Sequence, residues 1–230
     1  MTSPSDVADR RIVKSLYEQL VPIRALVHLV RNRLIREKGA AGWRSCYFQN
    51  YHTSRATTAF FELVEREASR LPEKPVKFLE WLHLHKLEEA GEETMFREDL
   101  LTLGYRNEQI DSSLPDEVIL DMFGRQMALV VCKHPFALLG FLLVTECLPS
   151  NISAVQNEIA SLGISPRAIS TIRYHAKEDI QHREPIFDLI ELYAKDQRIY
   201  ELVYFAAAST LVGWGLFFDK VISNPKPQAG

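Results

Sequence analysis

Two histidines and an aspartate share one helical face in residues 173–185, RYHAKEDIQHREP. At about 100° per residue, His175, Asp179 and His182 fall within one narrow stripe whose other members are apolar. Burying an unpaired charge is costly, so the trio predicts either a metal site or a core histidine pair beside a surface aspartate. Two neutral imidazoles and a carboxylate oxygen suit iron, manganese or zinc.

The composition limits the class of protein and its partners. The chain has 230 residues, is 47% hydrophobic and carries a formal net charge of −3, which suits a single large domain. Its Lys and Arg residues form no basic stripe, and this argues against a nucleic-acid partner. Three widely spaced cysteines with no CxxC pair favour a reducing, cytoplasmic location over a disulfide framework or a zinc knuckle.

No membrane span is expected from the sequence. Residues 1–11 are polar and carry no apolar signal core. The apolar run 202–218 is shorter than the roughly 20 residues that a membrane span needs. It also contains Ser209, Thr210 and two glycines, so we expect a buried core helix there.

Helical periodicity repeats along almost the whole sequence, and no alternating strand pattern appears. We therefore predict one all-α domain, 1–230, with its core at about 10–222 and a disordered tail at 224–230. Pro22 should kink the first helix, and the glycines at 39–42 should end it. The predicted helices are 5–38, 43–71, 75–103, 115–134, 136–148, 151–162, 166–195 and 196–223.

A second polar band interrupts the apolar stripe of the third predicted helix. His85, Glu89 and Glu92 have the same spacing as the trio described above. Because Glu88 and Glu93 extend them into an acidic run, the alternative is an ordinary solvated face. The spacing nevertheless makes this helix a second candidate carrier of metal ligands.

Glu146 is the one ionisable acid in the segment 136–148, FALLGFLLVTECL. The segment is apolar nearly all round, which predicts a central helix. A carboxylate there must be paired, protonated or bound to a metal, unless the helix end reaches water just before Pro149. We favour the metal ligand.

Three predicted helices thus each bring imidazoles or carboxylates to an apolar face. Together they supply two or three histidines and three or four carboxylates, more than a mononuclear site uses. This number fits a carboxylate-bridged dimetal centre in a helical bundle. The candidate ligands are His85, Glu89, Glu92, Glu146, His175, Asp179 and His182.

Aromatic residues crowd the second predicted helix, and we expect most of them in the core. The polar side chains between them allow a substrate pocket between this helix and the last one. An arginine on this wall would hold a substrate carboxylate. The candidate pocket residues are Tyr47, Tyr51, Arg55, Phe205 and Trp214.

The chain resembles the heme-oxygenase-like diiron oxidases and oxygenases, a family of iron-containing redox enzymes. Relatives include the CADD-like aminobenzoate synthases and the alkene-forming fatty-acid decarboxylases. The family carries His-x3-Asp-x2-His on its last ligand helix, matched here by His175, Asp179 and His182. It also carries a lone glutamate closing an apolar helix, which Gly140 and Glu146 resemble.

This resemblance covers about residues 10–222 and implies both a fold and a cofactor. The implied fold is a heme-oxygenase-like (TenA-PqqC-like) bundle of about seven core helices. The implied cofactor is two iron ions per chain, or manganese, with dioxygen as cosubstrate. The family usually has a glutamate where this sequence has His85 and a histidine where it has Glu92. On an alternative count, Glu88 or Glu89 is the carboxylate.

Three functions are consistent with these patterns. The first is an O2-dependent dimetal oxidase or oxygenase acting on an amino, fatty or aromatic acid, with an electron donor and a second copy of the chain as candidate partners. The second is a metal-free or one-metal binding protein that keeps the bundle after losing the enzyme site. The third is a cofactor-free or heme-using enzyme of the same fold, with His28 as heme ligand by position.

Overall fold

The computed structural model describes residues 10–148 and 152–224, except for the side chains of residues 152, 154 and 176–180. These residues contain helices, turns and bends and no β-strand, so the all-α prediction is confirmed. The predicted helix start at Ser5 and the tail beyond Asn224 lie outside the described residues. The helices are α1 (Arg11–Ser69), α2 (Val76–Glu88), α3 (Glu92–Thr102), α4 (Asn107–Asp111), α5 (Glu117–Cys132), α6 (Ala137–Thr145), α7 (Ile152–Ser161), α8 (Ser170–Tyr193), which follows a 3-10 turn (Pro166–Ile169), and α9 (Gln197–Ser223).

The first helix, α1, runs for 59 residues and bends sharply at Gly39. Gly39 has φ 54° and ψ −136°, a combination that a residue without a Cβ adopts most easily. The predicted break at 39–42 is therefore present, but a single residue makes it and the helix resumes at once. Pro22 lies inside α1, and Gly39 is the one position of α1 with non-helical backbone angles.

The predicted helix 75–103 is two helices, which corrects the sequence interpretation. The α2 helix ends at Glu88, and α3 begins at Glu92 after Gly91. Gly91 has φ 103°, a left-handed conformation that favours glycine. The polar side chains that periodicity placed on one straight face therefore belong to two helices separated by a break.

The α6 helix lies at the centre of the bundle, as its apolar sequence predicts. All residues from Ala137 to Val144 are buried, and α6 packs against α5, α8 and α9. At Gly140 an added Cβ would lie 2.2 Å from the Val203 carbonyl oxygen and 2.9 Å from the Ala207 nitrogen. Glycine lets the α6 and α9 backbones touch here, and this contact fixes the end of α6.

The last helix, α9, is long and apolar enough to span a membrane by length and composition. In the bundle it packs against α1, α5 and α6. Gln126 of α5 donates hydrogen bonds of 3.0 Å to the Ala206 carbonyl and to the Thr210 hydroxyl within this packing. The α9 helix therefore contributes to the core. It extends beyond the apolar run 202–218 at both ends.

A buried aspartate on α3 anchors the start of α8. Asp99 accepts hydrogen bonds from the Tyr47 hydroxyl and from the backbone N–H groups of Ser170 (3.1 Å) and Thr171 (2.9 Å). The hydroxyls of Ser170 and Thr171 also donate to it, at 2.6 and 2.7 Å. Burial alone would raise the pKa of Asp99, but these donors outweigh it and hold the pKa below its usual value. The carboxylate thus fixes the helix that carries three candidate ligands.

Replacing Gly140 with alanine is expected to destabilise the protein, because the new Cβ cannot avoid the α9 backbone. Overpacking of this kind costs roughly 1–3 kcal/mol, measurable as the free energy of unfolding in urea. Gly124→Ala in α5 is the matched control, since no atom lies within 4 Å of its added Cβ. Equal stability of the two variants would contradict the close packing of α6 on α9.

Asp99→Asn is expected to lower the free energy of unfolding by roughly 2 kcal/mol near pH 7, because its donors lose a charged acceptor. The depressed pKa sets the sign of the pH dependence. Stabilisation by Asp99 is fully present above the unfolded-state pKa of about 3.9 and is lost as pH falls through the folded-state pKa.

Urea unfolding of wild type and Asp99→Asn, measured from near pH 7 down to below the pKa of about 3.9, tests the hydrogen bonds that Asp99 accepts. The stability difference between the two proteins should shrink in acid. Asp111→Asn, which removes the charge of an exposed pair with Arg97, should have little effect at any pH. A difference that stays constant with pH would show that the Asp99 charge does not anchor α8.

Candidate metal centre

His85 of α2 is held rigidly at the centre of the site. Its ring stacks on Trp81, with centroids 4.8 Å apart and 17° between the planes, and also packs on Phe61. Its Nε2 atom lies 3.1 Å from Oε1 of Glu146. Burial alone would lower the pKa of His85, but Glu146 and Glu89 raise it above its usual value. Packing and charge together therefore fix the direction of this imidazole.

Glu146 directly follows α6 and is buried between two imidazoles. Its Oε1 atom faces His85, and its Oε2 atom lies 3.3 Å from Nδ1 of His182 without forming an aligned hydrogen bond. Burial alone would raise the pKa of Glu146, but His85 and His182 lower it to about 2. The carboxylate is therefore ionised, and one of its buried oxygens lacks a donor.

Four ligand atoms converge on one point of the site. One atom each from His85, Glu89, Glu146 and His182 lies within 4.8 Å of the other three. The two imidazole rings meet edge to face with centroids 4.7 Å apart. Nδ1 of each histidine and Oε2 of Glu146 are buried without a hydrogen-bond partner. Two imidazoles and two carboxylates with such orphaned atoms fit a first-row divalent metal ion.

A second pair of candidate ligands, His175 and Glu92, lies beside the four described above. Nε2 of His175 is 3.1 Å from Oε1 of Glu92, and the His175 ring packs on Phe96. Glu92 also forms a hydrogen bond with Glu89, and the charge of Glu146 reaches His175. Burial lowers the pKa of His175, which favours the neutral imidazole that metals bind.

Three carboxylates meet where the two groups join. Burial and the charge of Glu146 raise the pKa of Glu89, which also hydrogen-bonds to Glu92. Like charges at such short range disfavour joint ionisation, and divalent cations would relieve that repulsion. Three imidazoles and three carboxylates together form a set of side chains that could hold a metal ion.

Six of the seven candidate ligands lie together in the structure. The seventh, Asp179, belongs to the part of α8 whose side chains are not described. His85 and Glu92, the two positions at which the sequence departs from the diiron family that it resembles, lie beside His182 and His175 respectively. Each group therefore keeps both an imidazole and a carboxylate.

Of two neighbours of the ligands, Trp81 is missing from the sequence prediction and Glu88 appears there only as an alternative carboxylate. Trp81 stacks on His85, and Oε2 of Glu88 lies 3.3 Å from Nε2 of His182. Both residues are three or four positions from His85, a spacing that makes side chains neighbours on a helix. That spacing is the signal that could have identified them.

A cavity of about 490 Å³ opens beside the ligands. Glu89, Glu92, Glu146 and His175 form part of its lining. The rest of the wall comes mainly from both arms of α1 and from α6 and α9, and apolar surface dominates it. Cavities of roughly 300–1,000 Å³ are typical of small-molecule sites.

Only some of the predicted pocket residues reach this cavity. Tyr47 and Trp214 line it. Tyr51 is buried with its hydroxyl 3.4 Å from a glutamate of α3, and Arg55 pairs with the same glutamate at the surface. Phe205 is 59% exposed. The structure therefore does not place these three side chains at this cavity, because residue spacing does not reveal which face of a helix turns toward it.

Comparisons with known proteins inform the fold alone. No family model and no curated protein matches the chain. A solved structure with a TM-score of 0.73 is 22% identical to this chain, over 96% of this chain and 93% of that one. It is described as a domain of unknown function with a heme oxygenase-like fold from Shewanella denitrificans OS217. The chain therefore has a heme oxygenase-like fold, as its sequence resemblance implied.

Proposed function

We propose that the protein is an O2-dependent, non-heme diiron oxidase or oxygenase that acts on a small organic acid. One observation carries the proposal: three imidazoles and three carboxylates from α2, α3, α8 and the end of α6 converge beside a cavity of small-molecule size. A structural role for so many converging ionisable groups is hard to justify, because each would have to be desolvated and paired.

Two groups of side chains would each hold one metal ion. Glu89 and Glu146 lie where the groups meet, so both are candidate ligands of either ion. Asp179 stays a ligand proposed from the sequence alone. The first group is His85, Glu89, Glu146 and His182, and the second is Glu92 and His175.

Two ferrous ions bound there would supply electrons and a binding site for dioxygen. The side chains of the chain itself do the positioning. Trp81 and Phe61 fix the ring of His85 and keep water from it. The ionised Glu146 presents its two oxygens to different imidazoles. The apolar wall of the cavity holds the substrate against the ligands and excludes bulk water.

We further propose a cytoplasmic, single-domain protein with no nucleic-acid partner. The three cysteines, Cys46, Cys132 and Cys147, are free, which supports a reducing compartment. An electron donor and a second copy of the chain are its proposed partners. The donor would return the centre to the ferrous state between turnovers.

A metal-free binding protein is the second candidate, and one observation favours it. Glu146 and His182 already compensate each other: Glu146 raises the pKa of His182 to about 9, and the two histidines lower that of Glu146 to about 2. A buried ion pair of this kind can persist without a metal. The buried donor atoms without partners favour the metal centre instead.

Anaerobic ferrous titration of chelator-treated protein is expected to give about two iron ions per chain. His182→Ala should lower this stoichiometry toward one, because it removes an imidazole from the first group. Circular dichroism should show that the bundle stays folded. The loaded wild type should consume dioxygen at an oxygen electrode.

His83→Ala is the control for that titration. His83 lies on α2 near His85, but its side chain is 64% exposed, so iron binding should be unchanged. Glu92→Ala should weaken the binding of one iron ion and leave the binding of the other unchanged. A wild type that binds no iron would favour the metal-free protein, and equal loss of both ions in Glu92→Ala would show that the groups are wrongly assigned.

A further inference from the structure

Three basic side chains on one stripe of α1 line the cavity. Arg24, His28 and Arg31 follow one another at about one helical turn. Arg31 is neutralised, because its guanidinium bonds both carboxylate oxygens of Glu158 at 3.0 and 2.5 Å. Burial and the two arginines lower the pKa of His28, which favours its neutral form. Arg24 is thus the cation of this stripe that pairs with no acid among the described residues.

The Arg24 side chain has no acidic partner among the residues that the structure describes. Its Nε atom is buried without a hydrogen-bond partner, and no described carboxylate forms an ion pair with it. Its guanidinium carbon lies 5.9 Å from the centre of the Tyr17 ring, a contact that gives the buried Nε–H group no acceptor. A buried donor without an acceptor costs free energy, and a bound anion would remove that cost.

The rest of the cavity suits an apolar body with an aromatic ring. Aromatic side chains from α1, α3, α6 and α9 form much of its wall, and flat rings pack well against one another. The cavity therefore combines one uncompensated guanidinium with an aromatic, apolar interior. The aromatic lining residues are Trp43, Tyr47, Phe96, Phe141, Trp214 and Phe218.

We propose that the substrate is an apolar carboxylic acid with an aromatic body, and that Arg24 binds its carboxylate. A planar guanidinium matches a carboxylate through two parallel hydrogen bonds. Glu89, Glu92 and Glu146 line the same cavity, so an acid whose carboxylate is held by Arg24 would turn its apolar body toward the ligands. The assignment rests on the proposed function, since it names the substrate of the same site.

Calorimetric titration with 6-phenylhexanoate and the neutral 6-phenylhexanamide tests this assignment. Full-length protein is used both as purified and after chelator treatment. The acid should bind at least about tenfold more tightly than the amide in both samples, as expected for hydrogen bonds to a charged group. Arg24→Met should remove this preference, and Arg24→Lys, which keeps the charge without the planar fork, should reduce it.

Arg36→Met is the matched control, because it removes the same charge from α1 at a side chain that is 74% exposed. It should keep the preference for the acid. Equal binding of acid and amide to wild type would overturn the proposal, and so would a preference that survives Arg24→Met. If that surviving preference disappears after chelation, the acid binds the metals instead. Iron stoichiometry is independent of these results, so failure here is distinguishable from failure of the proposed function.

Discussion

The buried charge of Glu146 is the constraint on which the rest of the site depends. It directly follows the most apolar helix of the bundle and lies between His85 and His182. An unpaired carboxylate at this depth would cost several kcal/mol, so the helices that carry the two imidazoles must converge on it. The stacking of Trp81 on His85 and the anchoring of α8 by Asp99 hold that convergence in place.

Glycines let the backbone satisfy this constraint. Gly39 folds α1 so that both of its arms line the cavity, and Gly91 breaks the path between α2 and α3 so that Glu89 and Glu92 arrive from different directions. Gly140 brings α6 into backbone contact with α9. Each of these three glycines sets the path of a helix that carries a charged side chain of the site or the cavity.

The fold class could be predicted because it depends on local patterns, namely helical period and the apolar run 136–148. Much of the candidate site could be predicted for the same reason, since His175 and His182 share a face by spacing alone. The break at Gly91 could not be predicted, because a glycine within an acidic run is also compatible with a continuous helix. The proposed role of Arg24 could not be predicted either. The cavity that Arg24 lines exists only once α1 bends and packs on α6 and α9.

The most direct measurement of the dimetal centre is X-ray diffraction at the iron absorption edge from crystals of the iron-loaded protein. We expect two anomalous peaks per chain, one among His85, Glu146 and His182 and the other beside Glu92 and His175. A single peak, or peaks away from these side chains, would contradict a dimetal centre built from this set of ligands.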